Sequence, residues 1–261
     1  MKIPFYQVDA FTNKVFKGNP AAVCLLDSWP DDKVMQNIAA ENNLSETAFM
    51  VNKAPGIYDL RWFTPAVEVD LCGHATLAGA FVIFNFIDKN LSSIDFKTAS
   101  GTLSVARSGE LLSMDFPARK PMPVEPPERL PRALGRAPLA VLKSRDLLAV
   151  FGNESHVREL TPDFRLLKQM KDIVAVIVTA PGEKSDFVSR FFAPMVGIPE
   201  DPVTGSAHCT LIPYWAERLN KRVLHAFQLS NRGGELFCEH LGDRVKISGH
   251  AVLYATGEIY I

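Results

Sequence analysis

The sequence predicts an α+β protein made of two similarly built halves, each a curved sheet around one buried apolar helix. Three observations carry this. RWFTPAV, from Arg61, and RFFAPMV, from Arg190, repeat one pattern at an offset of 129 residues (190 minus 61), close to half of the 261-residue chain. Each leads into a glycine-opened helix, Gly73-His74-Ala75 and Gly205-Ser206-Ala207, offset by 132 (205 minus 73), so the second connection is three residues longer. Finally, the helices that follow, ATLAGAFVIFNFI and AHCTLIPYWAERL, are apolar around almost their whole circumference, and a helix without a polar face is a buried one.

Taken in order, VDAFTNKVFKGNPAAVCLL reads as strand, turn and strand, and DDKVMQNIAAE as an amphipathic helix. After the first apolar helix, FKTASGTLSVARSGEL reads as paired strands. ARKPMPVEPPERLPRALGRAP is the most proline-rich stretch and reads as a linker near the midpoint. DLLAVFGNES and the helical TPDFRLLKQMK are weaker counterparts of the opening elements. FQLSNRGGELFCEHLGDRV, from Phe227, matches the segment from Phe96 at an offset of 131 (227 minus 96). The expected domains are therefore residues 1–117 and 118–261. The last strand, roughly 250–261, is a candidate to pack with the first half.

Composition narrows the function classes. With 28 basic and 29 acidic residues scattered along the chain, the net charge is −1, and no basic face recommends a nucleic-acid partner. The longest apolar stretch, Leu77 to Ile87, is too short to span a bilayer, and no signal peptide opens the chain, so a cytoplasmic protein without a membrane partner is expected. Cys24, Cys72, Cys209 and Cys238 lack paired spacing, which suits reduced thiols. His74, His156, His208, His225, His240 and His250 form no ligand-spaced pair, so no metal site is expected. No GxGxxG or GxxxxGK[ST] phosphate loop occurs.

The chemistry gathers at the two glycine turns. A helix start leaves backbone N–H groups without internal partners, and glycine lets a ligand approach them closely. Gly73 and Gly205, on either side of one cleft, would receive a carboxylate or a developing oxyanion. Ser206 adds a hydroxyl donor, His74 an imidazole, and Asp201 an acid that can orient a cationic group or move a proton. Gly, Ser and Asp at helix starts are also ordinary caps, and inherited caps of a duplication would look the same. Glu46, in ENNLSETAF, is flanked by Leu44 and Ala48-Phe49, which point the chain toward the core, where a half-buried carboxyl can serve as acid or base. Cys72 precedes Gly73, but Thr204 holds the matching place before Gly205, which disfavours a two-thiol mechanism and leaves Cys72 a packing residue.

GNPAAVCLL, NLSETAF, RWFTPAVEVDLCGHATLAGA and RFFAPMVGIPEDPVTGSAH resemble the PhzF family, the phenazine-biosynthesis-like isomerases, along essentially the whole chain. The resemblance implies a diaminopimelate-epimerase-like fold: two pseudo-symmetric domains, each a mostly antiparallel sheet wrapped around a central helix, with the active cleft between them. It implies a homodimer that needs no cofactor. It also implies that Glu46 shuttles a proton, as the family glutamate does in isomerising trans-2,3-dihydro-3-hydroxyanthranilate. His74 and Asp201 join it as catalytic residues, and Gly73, Gly205 and Ser206 bind the substrate.

The function expected is thus a cofactor-independent isomerase acting on a small carboxylic acid. A binding or interaction protein on the same fold and an amino-acid epimerase remain the alternatives.

Overall fold

The computed structural model describes residues 1–170 and 173–261. In chain order, the first part runs β1 (Lys2–Ala10), β2 (Asn19–Leu26), α1 (Asp32–Asn42), β3 (Glu46–Ala54), β4 (Ile57–Phe63), β5 (Glu68–Val69), α2 (Gly73–Val82), a π-helical turn (Ile83–Ile87), β6 (Ser93–Thr98), β7 (Gly101–Ser108) and β8 (Leu111–Pro117). There follow β9 (Met122–Pro123), α3 (Leu130–Leu134), β10 (Ala140–Lys143), β11 (Leu147–Val150), α4 (Glu154–Arg158), α5 (Phe164–Lys168), β12 (Val176–Pro181), β13 (Phe187–Ala193) and β14 (Ile198–Asp201). The chain closes with α6 (Gly205–Leu219), β15 (Val223–Gln228), β16 (Gly234–His240), β17 (Arg244–Gly249) and β18 (Ala251–Tyr260). It divides into two compact units, one of residues 1–115 with 248–261 and one of residues 116–247.

In the first unit β18 pairs antiparallel with β1 along its length, and β1 pairs antiparallel with β2. Parallel pairing of β2 with β3 sets Ala21 opposite Glu46, and β3 continues into an antiparallel hairpin with β4. Helix α2 is buried at every position but two, Gly73 and Phe81, which are partly exposed. The second unit follows the same plan. β11 lies parallel to β12, β12 antiparallel to β13, and β13 parallel to β15. Its apolar helix α6 packs under β15 and β16.

The repeated RxF motif has one structural meaning in both units. Arg61 forks onto Glu68 with two bonds of 2.7 Å and stacks over Phe63. Arg190 forks onto Glu200 with bonds of 2.7 and 3.0 Å and stacks over Phe192. In each, a strand arginine ties down the short strand that precedes the buried helix.

Three sequence expectations change. The apolar run from Ala75 to Ile87 is α-helical only to Val82. Its last five residues widen into a π turn, with the Asn85 side chain donating to the Phe81 carbonyl and Phe86 and Ile87 reaching solvent. The proline-rich segment is not a bare linker: it contains β9 and α3, and Leu130, Ala133 and Leu134 enter the second unit's core. Within TPDFRLLKQMK, helix α5 is only one turn and a half, capped by the Asp163 carboxylate on the Arg165 and Leu166 amides. The final Lys171 of that segment lies outside the described residues.

Pro213 sits inside α6 and supplies no N–H to the Cys209 carbonyl four residues back. The Arg119 amide fills the vacancy, donating to that carbonyl at 2.8 Å. A buried helix thereby keeps a proline without an orphaned acceptor.

Candidate active site

In the first unit the candidate residues meet at the start of α2. Gly18 makes the turn into β2 at φ +64, and a β-carbon there would lie 2.1 Å from the Ala10 carbonyl oxygen, so only glycine fits. The turn delivers Asn19 to the interior at the first position of β2, where it is fully buried. Glu46 opens β3 and is 9% exposed; His74 is the second residue of α2 and 5% exposed. Their side chains converge: Glu46 Oε2 lies 3.0 Å from His74 Nε2, an ion-pair distance outside linear hydrogen-bond geometry, so both atoms are buried without a hydrogen-bond partner. On the other side of the ring, His74 Nδ1 meets Asn19 Nδ2 at 3.2 Å and Cys72 Sγ at 3.5 Å.

Burial alone disfavours a charged imidazole, but Cys72 and Glu46 beside it outweigh burial and hold the His74 pKa well above the ordinary histidine value. Burial pushes the Cys72 thiol up to about 11, with the Glu46 charge adding to it. Cys72 is therefore a protonated thiol at neutral pH and a poor nucleophile or proton acceptor.

Glu46, Cys72 and His74 bring three metal-ligand atoms within 4.8 Å of one another. The imidazole, however, turns one nitrogen toward Cys72 and the other toward Glu46. A single ion would take only one of those nitrogens, so side chains would have to move before this group closed around a metal.

In the second unit the candidates meet at the start of α6. Asp201 ends β14 and accepts a hydrogen bond from the Thr204 hydroxyl. Gln228, fully buried on β15, knits the turn: it accepts from the Thr204 amide at 2.9 Å and donates to the Asp201 carbonyl at 2.8 Å. His208, one turn into the helix, bonds the Thr204 carbonyl through Nδ1 at 2.9 Å, and burial pushes its pKa down to about 4. Gly205 is buried; Ser206 is partly exposed and accepts a bond of 3.3 Å from Arg145 Nη2. Arg145 is itself held by the buried carboxylate of Asp146 through bonds of 2.6 to 3.1 Å.

Neither helix start is capped by a side chain: Cys72 and Thr204 occupy the N-cap positions and make no capping bond. The hydroxyl of Thr204 is committed to Asp201 instead. First-turn amides left uncapped in this way, with the helix dipole behind them, favour an anion. Ser206, whose oxygen accepts from the donor-only Arg145 guanidinium, keeps its own proton to donate.

Thus Glu46, Gly73 and His74 come together in one unit, and Asp201, Gly205 and Ser206 in the other. Sequence reasoning missed Asn19, Gln228, Arg145 and Asp146. The Gly-Asn-Pro stretch was legible as a turn, but not that the turn would send the Asn19 amide inward. Arg145-Asp146 is an adjacent pair in a loop, with no periodicity to single it out. No helix among the described residues is long and apolar enough to cross a membrane.

Residues 8–257 match the family model for phenazine biosynthesis-like proteins, PhzC-PhzF. An uncharacterized isomerase of Pseudomonas aeruginosa is 53% identical over all of both chains, and the phenazine biosynthesis-like domain-containing protein of Homo sapiens is 41% identical over 99% of both. The crystal structure of a PhzF-family phenazine biosynthesis protein from Enterococcus faecalis superposes with a TM-score of 0.98 at 50% identity, covering all of both chains. A hydroxyproline epimerase from Agrobacterium vitis shares the fold alone, with a TM-score of 0.65 at 9% identity over 99% of this chain and 92% of its own. An α+β chain whose two units repeat one plan around uncapped, buried helices, which that family model matches over residues 8–257, and which has full-length relatives named as isomerases, belongs to the PhzF family of isomerases.

Proposed function

We propose that this chain is a cofactor-independent isomerase that moves a proton on carbon of a small carboxylic acid, with Glu46 as the acid/base group. The observation that carries the reading is the buried approach of Glu46 Oε2 to His74 Nε2 at 3.0 Å, with neither atom satisfied by a hydrogen bond. A buried polar pair left unsatisfied costs stability, and such sites persist where a bound molecule completes them.

In this reading Glu46 as carboxylate removes a proton from carbon, and returns it to another carbon or to the opposite face. His74 Nε2 stabilises the carboxylate and supports the proton in transit. The uncapped amide at Gly73 supports negative charge developing on the substrate. Gly205 and Ser206, with the uncapped start of α6, bind the substrate carboxylate, and Asp201 orients an amino or hydroxyl group.

Proton NMR in D₂O tests this with purified protein and trans-2,3-dihydro-3-hydroxyanthranilate, followed by a panel of amino and hydroxy acids. Deuterium should enter one product in wild type. Glu46→Gln should slow that exchange by at least about 100-fold, the scale of losing a general acid/base, while leaving the fold intact. Undiminished exchange in Glu46→Gln would remove Glu46 from the chemistry.

A further inference from the structure

We propose that Asn19 is a positioning residue that fixes which nitrogen of His74 carries its proton, and thereby keeps a donor facing Glu46. The proposal deepens the proton-transfer reading and rests on it only for its catalytic consequence.

Asn19 is fully buried at the entry of β2, delivered there by a turn that only Gly18 can make. Its amide nitrogen, a donor with no lone pair to offer, lies 3.2 Å from His74 Nδ1. A second neighbour of Nδ1, the Cys72 sulfur at 3.5 Å, belongs to a thiol that stays protonated at neutral pH and has its own proton to donate to a bare Nδ1, leaving the donor-only Asn19 amide to decide the tautomer. With donors on that side, Nδ1 acts as acceptor and the proton of the neutral ring sits on Nε2. That nitrogen is the one 3.0 Å from Glu46 Oε2. A neutral ring of the other tautomer would set a lone pair against the carboxylate.

The titratable groups acting on the ring are Cys72 and Glu46; Glu46 favours its charged form, and Cys72 does so as a thiolate. The Asn19 amide acts against them at Nδ1. Nε2 therefore keeps a proton toward Glu46 whether the ring is neutral or charged, and Glu46 is met by a donor across the working pH range. The register fixes the geometry: Ala21 on β2 lies opposite Glu46 on β3, so Asn19 stands two residues before that pair on the same side of the strand.

The experiment uses the full chain labelled with ¹⁵N-histidine, as wild type, Asn19→Leu and Asn19→Asp. Long-range ¹H–¹⁵N spectra across a pH titration read the His74 tautomer directly, without any substrate. Above the His74 titration midpoint, wild type should show an imine-like Nδ1 and a pyrrole-like Nε2. Asn19→Leu should lose this selectivity and show averaged signals. Asn19→Asp puts an acceptor at Nδ1, so it should draw the proton there and raise the midpoint by about one pH unit or more.

Deuterium uptake with any substrate the panel yields should then fall further in Asn19→Asp than in Asn19→Leu, although Asp is the closer match in shape. A residue that merely packs would give the opposite order. A wild-type ring with its neutral proton on Nδ1, or a tautomer unchanged in both variants, overturns the proposal. Should the tautomer respond as expected while no acid exchanges deuterium, the positioning stands and the isomerase reading is what has failed.

Discussion

Cys72 and Thr204 occupy equivalent places, each the residue before the glycine that opens a buried helix, and they separate two chemistries. A thiol pair at those places would suit an epimerase that takes a proton from one face of a carbon and delivers it to the other. Here one member is a thiol pushed up to about 11 and the other a hydroxyl committed to Asp201. The carboxylate that faces the other edge of the imidazole is Glu46, from the opening of β3. Cys72→Ser should therefore retain deuterium exchange within about tenfold of wild type, since the hydroxyl preserves a donor near His74 Nδ1 and no thiolate is being used. Exchange abolished in Cys72→Ser but surviving in Glu46→Gln would reverse the two roles and restore thiol chemistry. At this scale the sequence was only partly readable. Glu46 and His74 stood in recognisable motifs, whereas their partner Asn19 is 55 residues from His74, and only the packing of β2 against α2 brings them together. Gln228, 24 residues from the turn it bonds, was invisible for the same reason.

The elements themselves were easier to read, because hydrophobic periodicity reports local packing while the partners of polar groups are set by tertiary contacts. Both buried helices and the strand pairs around them followed from pattern alone. The π turn after Val82 did not, since the run stays apolar through it and the feature that accompanies it, the Asn85 side chain bonding the Phe81 carbonyl, leaves no mark on hydrophobicity. The helix across Pro213 did follow from pattern, although pattern does not show that the Arg119 amide serves the carbonyl the proline leaves vacant. The duplicated arginines offer a test of packing at this scale. Arg61 and Arg190 make the same fork, but Arg190 and Glu200 are 11% and 21% exposed in their side chains against 25% and 39% for Arg61 and Glu68. Arg190 also donates to the Val157 and Leu160 carbonyls. Arg190→Ala should cost about 3 kcal/mol, because it strands a mostly buried carboxylate and two carbonyls, and Arg61→Ala about 1 kcal/mol. Urea denaturation of the two variants should preserve that order; equal losses would mean that the fork, and not its burial, sets the energy.

For the molecule as a whole, buried titratable groups predict a stability that peaks near pH 6.5. His208 is held down to about 4 when folded, against an ordinary 6.5 when unfolded. Between those values the unfolded chain binds the extra proton, so stability falls as pH drops, by roughly 3 kcal/mol over the full interval. His74 acts on the other side. Its folded pKa is raised, so its contribution is fully present below 6.5 and is lost as pH climbs through that folded value. Above pH 9 the buried thiols extend the decline. Cys24 is held near 12 and Cys72 and Cys209 near 11, so the unfolded chain ionises first. Urea midpoints measured from pH 4 to 10 should therefore trace a dome, and His208→Gln should flatten its acid limb while leaving the alkaline limb in place. The two limbs draw on different histidines in the two units, so His74→Gln should flatten the alkaline limb below about pH 9, where the thiols take over, and leave the acid limb in place. An acid limb that survives unchanged in His208→Gln would remove His208 as its cause.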